Sequence, residues 1–183
     1  MKSISERYDL NFGIDFAASN LWNEKEQQYI YEKAGQKLSR TEQLLFIADL
    51  IDNYNLFYLE DPFHEEDFVS FSALLNRYSK RLIVGDDLIC TNYERLEKAI
   101  KLKSVNAIIV KPNQVGLISE VEKVVREAKK NDIKLVFSHR SGETEDVSIV
   151  HLAVGFESDF IKAGISGERT VKINELLRIS EKI

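Results

Sequence analysis

The sequence predicts an α/β fold: an incomplete TIM-type (β/α) barrel of about six parallel strands with helices on the outside. Three observations carry this expectation. Six short apolar segments each end in a charged or polar residue: Asp15 in NFGIDF, Glu60 in LFYLED, Asp86 in RLIVGDD, Lys111 in NAIIVK, Ser138-His139-Arg140 in KLVFSHR and Lys162 in DFIK. From Glu60 onward these ends recur at spacings of 26, 25, 27 and 24 residues, with Ser138 taken for the fifth, and each step is one strand-loop-helix-loop unit. The strands are near-continuously apolar, as strands buried on both faces of a parallel sheet must be. A doubly wound open sheet would show the same alternation. Polar residues follow every strand, however, and the glycine fingerprint of a dinucleotide fold is absent, so the barrel is favoured. A complete barrel needs more strands and a longer chain than this one offers.

Along the chain, residues 11–16 read as a buried strand ending at Asp15, followed by the small residues Ala17, Ala18 and Ser19. The aromatic alternation YIYEK near 29–33 predicts an edge strand or hairpin. Ser39 with Glu42 three residues on has the spacing of a capping box. It opens a helix to about Asn53 with Leu44, Leu45, Ala48 and Ile51 as its apolar stripe. Strand 56–60 is stopped by Pro62, which cannot extend a ladder. A helix over 66–79 begins in the acidic run Glu65-Glu66-Asp67, a negatively charged first turn. Strand 81–85 precedes a helix near 92–101 that Asn92 can cap. Strand 105–110 runs into the loop KPNQVG. The clearest helix spans 119–130, where Val121, Val124, Val125 and Ala128 form an i, i+3, i+4, i+7 face. Strand 133–137, helix 144–155, strand 158–161 and a helix over 168–180 complete the reading.

Composition sets bounds. The 183 residues, 44% hydrophobic, suffice for one ordinary core, and residues 1–183 read as a single domain without an internal linker. A net charge of −5 gives no electrostatic footprint for nucleic acid. It leaves room for an anionic small molecule, because the local charge of a site can oppose the global sign. Cys90 is the single cysteine, which excludes an intramolecular disulfide and favours a cytoplasmic location. There is no apolar run long enough for a membrane span, and MKSISERYDLNF has no signal-peptide core.

Parallel strands of a barrel point their C-terminal ends at one place, so the strand ends predict a shared site. Asp15, Glu60 and Asp86 supply three carboxylates suited to a hard cation such as Mg²⁺. Asp61 and Asp87 are adjacent alternatives, which leaves a one-residue ambiguity at two ligands. Lys111 at a strand end is costly to bury unless paired. Beside a metal and a second cation, Lys162, its neutral form would be favoured, making it a candidate general base; a lysine snorkelling to the rim is the plainer alternative. His139, Arg140 and Ser141 precede Gly142 and an expected helix start, an arrangement suited to an anion such as phosphate. Ordinary capping by Ser141 or Thr144 is the competing reading. His64 reads as an exposed loop histidine and His151 as structural.

Taken in order, GIDFAAS, LEDPFHEEDF, VGDDL followed by TN, VKPNQVG, SHRSGETED, IKAG and the closing NELLRI closely resemble the enolase family, from Phe12 to the end of the chain. The resemblance implies an Mg²⁺-dependent lyase that reversibly dehydrates 2-phosphoglycerate to phosphoenolpyruvate in glycolysis and gluconeogenesis. It implies Asp15, Glu60 and Asp86 as the metal ligands and Lys111 as the base that removes the C2 proton. It further implies Lys162 near the substrate carboxylate, Arg140 and Ser141 on the phosphate, and His139 beside them. Several family features have no counterpart in this sequence: the N-terminal α+β domain, the opening barrel strands, the general-acid glutamate, a second glutamate and a mobile loop with a serine. GISGERTVKIN is also a little shorter than usual. The chain is thus expected to correspond to the C-terminal part of an enolase-like barrel, inactive or weakly active alone.

The alternative from another class is a non-catalytic enolase-like binding or assembly module. Another enolase-superfamily enzyme is disfavoured by the phosphate segment SHRSGE. Missing strands would leave two unpaired parallel edges. Self-association, pairing with a missing complementary segment, or cover from the N-terminal segment is therefore expected.

Overall fold

The computed structural model describes residues 7–182. The six apolar segments become β1 (Gly13–Asp15), β5 (Tyr58–Glu60), β6 (Leu82–Gly85), β7 (Ala107–Val110), β8 (Lys134–Ser138) and β9 (Phe160–Lys162). They form one sheet in the order β1-β5-β6-β7-β8-β9, parallel at every pairing. The sheet curls into a half-barrel with helices around it, the incomplete barrel that the sequence predicts. The pairing sets Asp15 opposite Glu60 and Ser138 opposite Lys162, whereas Glu60 lies opposite Val84 and Gly85 opposite Ile108, so the strand ends step along by two residues at β5–β6 and again at β6–β7, the stagger of a curling barrel sheet.

Side chains alternate between the two faces of each strand. Leu59, Ile83, Ile108, Leu135 and Phe137 point outward into the main core with the helices. Leu82, Val84, Ala107, Ile109 and Val136 form a separate cluster on the inner face, packed by Phe57 and Tyr58. Both faces are therefore dry, which explains the near-continuous apolar runs. Fully burying a side chain of this size contributes about 1.5–3 kcal/mol before entropy is counted.

The outer layer consists of α1 (Arg40–Tyr54), α2 (Phe68–Arg77), α3 (Tyr93–Leu102), α4 (Ile118–Lys130), α5 (Ser148–Gly155) and α6 (Thr170–Ser180). The capping box of α1 is formed: the Glu42 N–H donates to Ser39 Oγ at 3.3 Å, and the Ser39 N–H to Glu42 Oε2 at 2.8 Å. Its buried face differs from the expected stripe, because Gln43 and Ile47 turn inward with Ala48 and Ile51, while Leu45 is exposed. Gln43 belongs there because its amide donates to the Pro62 carbonyl and accepts from the Tyr31 hydroxyl. Helix α2 begins at Phe68 with Asp67 as its cap, so Glu65 and Glu66 lie in the preceding loop instead of the first helical turn. Arg95 fastens that loop, donating to the Glu65 and Leu88 carbonyls and to Glu66. Helix α3 is capped by Asn92, and α4 buries the four residues of its expected face.

Two further differences bear on the site. The YIYEK region is the central strand of a small antiparallel meander of β2 (Trp22–Asn23), β3 (Gln28–Tyr31) and β4 (Gln36–Leu38). And α5 starts at Ser148, four residues later than the periodicity suggests. Thr144 and Asp146 accept backbone N–H groups from Asp146 and Ser148, and this local bonding replaces helical turns. Residues 139–147 are consequently an irregular loop, and Ser141 does not sit at a helix N-terminus.

Among the described residues β1 and β9 each pair on one side only, so both are sheet edges. The first six residues, including any part that could cover an edge, lie outside the described residues. No described helix is long and apolar enough to cross a membrane.

Candidate active site

Asp15, Glu60, Asp86, Lys111, Ser138 and Lys162 occupy the C-terminal ends of six neighbouring strands, and the structure links five of them into two charged groups. In the first, Lys162 Nζ donates to Asp15 Oδ2 and to Glu60 Oε1, each at 2.7 Å. Glu60 is fully buried, and its other oxygen accepts the Tyr58 hydroxyl at 2.7 Å. Burial pushes the Glu60 carboxyl up, while Lys162 and Tyr58 pull it back towards the ionised form. Burial would lower Lys162, but Asp15 and Glu60 outweigh it and hold the ammonium above its usual range. Burial and Glu60 also raise Tyr58, which therefore acts as a donor here.

In the second group, the Lys111 ammonium contacts Asp86 Oδ2. Asp86 Oδ1 is buried and has no hydrogen-bond partner. The Lys111 backbone N–H donates to Thr91 Oγ1 at 2.9 Å, and Thr91 donates to Gln114 at 2.6 Å, which fixes the turn of KPNQ.

Asp61, Asp86 and Asp87 bring carboxylate oxygens within 4.8 Å of one another. The hydrogen bonds separate their roles. Asp61 Oδ1 accepts the Asp86 N–H at 2.9 Å and Asp61 Oδ2 the Asp87 N–H at 2.7 Å. Both Asp61 oxygens thus hold the backbone of the next strand end, and burial pushes its carboxyl up to about 8 against those two donors. Asp86 keeps a free oxygen. Asp15 and Glu60, held by Lys162, do not join this close group among the described residues; the fully buried Glu60 carboxylate and the orphaned Asp86 oxygen are the oxygen donors that fit a hard divalent cation.

The third feature is a cleft of about 190 Å³ at the end of β8, lined by Asn113, His139, Arg140 and Glu143 among others. Arg140 is exposed and donates to Asn113 Oδ1 at 3.1 Å. The His139 N–H continues the β8–β9 ladder by donating to the Lys162 carbonyl at 3.1 Å. Burial pushes the imidazole below its ordinary pKa, with Arg169, Lys162 and Lys172 adding to the shift and Glu143 opposing it. Ser141 is exposed in the loop, its carbonyl accepting from Arg169. His64 is half-buried against Trp22 at 5.4 Å, and His151 pairs with Glu175.

Sequence reasoning passed over Tyr58 and Lys172. Tyr58 lies two residues before Glu60 and so shares its face of β5, a signal that was available. Lys172 stands where Leu176 and Ile179 continue the same helical stripe, which marks it as a lysine on an apolar face.

Comparison with known proteins agrees with this architecture. Residues 2–183 match the family described as enolase, C-terminal TIM barrel domain. The chain is 47% identical over 174 residues to a protein named enolase from Pyrobaculum aerophilum, covering 94% of this chain and 41% of that relative. It is 49% identical over 173 residues to an enolase from Methanosphaera stadtmanae, and 49% over 169 residues to one from Sulfurisphaera tokodaii. These matches cover 93% and 91% of this chain, and 42% and 40% of the respective relatives. The chain therefore spans about two-fifths of the length of the curated relatives it matches. With its half-barrel and a family match along nearly its full length, the chain belongs to the enolase family, in the part that forms the C-terminal barrel.

Proposed function

We propose that this chain carries the metal-binding and proton-abstracting part of an enolase-type site for the reversible, Mg²⁺-dependent dehydration of 2-phosphoglycerate to phosphoenolpyruvate. The observation that carries the reading is the convergence of three carboxylates and two lysines from five strand ends on one rim of the half-barrel, beside a cleft bordered by Arg140. Asp15, Glu60 and Asp86 would hold the Mg²⁺. Bound there, the ion supplies electrostatic stabilisation to negative charge on the substrate carboxylate.

The chain's own residues divide the remaining work. Lys111, fixed by Thr91 through its backbone, takes the proton from the carbon next to the carboxylate. Lys162 presents a firmly protonated ammonium to the carboxylate itself. Arg140, which with His139 borders the cleft, receives the phosphate together with Ser141 from the adjoining loop. Tyr58 and Asp61 set the orientation of Glu60 and of the Asp86 backbone. The protein acts in the cytoplasm, and its open edges at β1 and β9 pair with a second copy or a complementary segment.

Dehydration also requires an acid to protonate the departing hydroxide, and the glutamate implied for that step has no counterpart among these residues. The isolated 183-residue chain should therefore bind without turning over. Calorimetry with Mg²⁺ and phosphoenolpyruvate should give a heat of binding, whereas the absorbance of the enol product should not rise when 2-phosphoglycerate is added. Absence of binding by a folded chain would favour a non-catalytic assembly module, and rapid turnover would refute the division of labour.

A further inference from the structure

Lys172 is fully buried on α6, far from the metal-site carboxylates in sequence, and no step of the proposed chemistry uses it. An ammonium is costly to bury unless its donors are satisfied. Its partners lie in one loop: Nζ donates to the Thr144 carbonyl at 2.7 Å and stands 3.7 Å from Glu143 Oε2. One helical turn earlier Arg169 reaches the same loop, donating to the Ser141 carbonyl at 3.2 Å. Its stem passes over Gly164, where a Cβ would come within 2.5 Å of Arg169 Cδ, so the close approach needs a glycine.

The segment held in this way is the irregular loop 139–147, which presents Arg140 and Ser141. Beyond the single ladder bond of His139 the loop has no helix or ladder, so side chains from elsewhere fix its carbonyls. Glu143 also lines the cleft, and its negative charge would oppose a phosphate there; the Lys172 ammonium, 3.7 Å from its carboxylate, offsets that charge.

We propose that Lys172 on α6 and Arg169 in the turn just before it are positioning residues that clamp the loop 139–147 and thereby set its affinity for a phosphate-bearing ligand. The inference rests on the anion-binding role proposed above for Arg140 and Ser141.

The test uses the intact 183-residue chain and the variants Lys172→Met, Arg169→Met and Arg169→Lys. Amide hydrogen exchange over 139–147 is measured without ligand, and phosphoenolpyruvate affinity by calorimetry with Mg²⁺. Losing a hydrogen bond from a charged donor should speed loop exchange and weaken binding by roughly tenfold or more in each Met variant. Exchange in β5 to β8 should stay as in the parent, and Arg169→Lys should retain most of the affinity. A folded Lys172→Met with parental loop exchange and affinity overturns the proposal. If Lys172→Met does not fold, the Arg169 pair decides: equal exchange in Arg169→Met and Arg169→Lys overturns it. A parent chain that binds no phosphoenolpyruvate would sink the proposed function, while ligand-free loop exchange would still decide whether the clamp exists.

Discussion

Lys162 Nζ lies 2.7 Å from Asp15 Oδ2, although the two residues are 147 positions apart and stand on opposite edges of the sheet. The outer strands β1 and β9 share no backbone ladder, yet their C-terminal ends are joined by this ion pair, and the same Lys162 ammonium also bonds Glu60 on β5. The curl of the half-barrel is thus closed at the site by side chains alone. Lys162→Met should leave the fully buried Glu60 with Tyr58 as its remaining partner. Because Lys162 is one-third exposed, water offsets part of the loss, and a cost of about 2 kcal/mol in urea unfolding is expected. The double variant Lys162→Met/Glu60→Gln should recover most of that cost. Equal stability of Lys162→Met and the parent would show that the pair adds nothing to closure.

The aspartates of LEDP and GDD differ in what they bond: both Asp61 oxygens accept backbone N–H groups, while Asp86 keeps one oxygen unpartnered. Asp61→Ala leaves two buried N–H groups, of Asp86 and Asp87, without acceptors, and should cost about 2–4 kcal/mol. Asp86→Asn keeps that backbone arrangement and removes the carboxylate with the unpartnered oxygen. It should cut Mg²⁺ affinity by at least about tenfold, and because it also takes the carboxylate partner from the Lys111 ammonium it should cost about 1–3 kcal/mol of stability. Calorimetry and urea titration of both variants decide the assignment, and a large affinity loss in a stable Asp61→Ala would reverse it.

The fold and the placement of Asp15, Glu60 and Asp86 at successive strand ends were legible for the same reason: both depend on strand ends that recur with a fixed spacing. The capping of α1 by Ser39 and of α3 by Asn92 was legible too, because each depends on neighbours within three residues. Choosing between Glu60 and Asp61 was not possible from pattern. Glu60 faces Tyr58 and Lys162 while Asp61 turns to the next strand, a distinction set by tertiary contacts. The start of α5 departs from the pattern because GETED has the composition of a first helical turn. Thr144 and Asp146 use their side chains on the backbone instead, and Lys172 from a distant helix takes the Thr144 carbonyl. The burial of Gln43 in place of Leu45 has the same origin, in partners at Pro62 and Tyr31 that no helical period encodes.

His139 should titrate below its ordinary value of 6.5. Burial disfavours its charged form, as do Arg169, Lys162 and Lys172, and Glu143 alone among these neighbours favours it. A depressed pKa means that the unfolded chain binds the proton first as pH falls. The associated stability is therefore fully present above 6.5 and is lost as pH drops through the folded value. Imidazole shifts followed by NMR check the direction, and His139→Gln should flatten that part of the stability curve. A midpoint at or above 6.5 would contradict the burial of this ring.

Gly13 gives a test of how far the edge strand β1 controls the site. A Cβ at this position would fall 2.6 Å from Tyr58 Cβ and 2.9 Å from the Tyr58 carbonyl oxygen, closer than real contacts allow. Neither atom is the free end of a flexible side chain, so relief must come from moving the backbone. Strand β1 is the element able to move, because it pairs with β5 on one side and with no described strand on the other. Its displacement would carry Asp15, two residues further along the same short strand, away from Lys162. Gly13→Ala should therefore cost about 1–3 kcal/mol of stability and also weaken Mg²⁺ binding, although it adds a single methyl group and removes no site residue. Urea unfolding together with Mg²⁺ calorimetry separates the two effects. A variant that loses stability but keeps full Mg²⁺ affinity would show that Asp15 is placed by its own contacts and not by the pairing of β1 with β5.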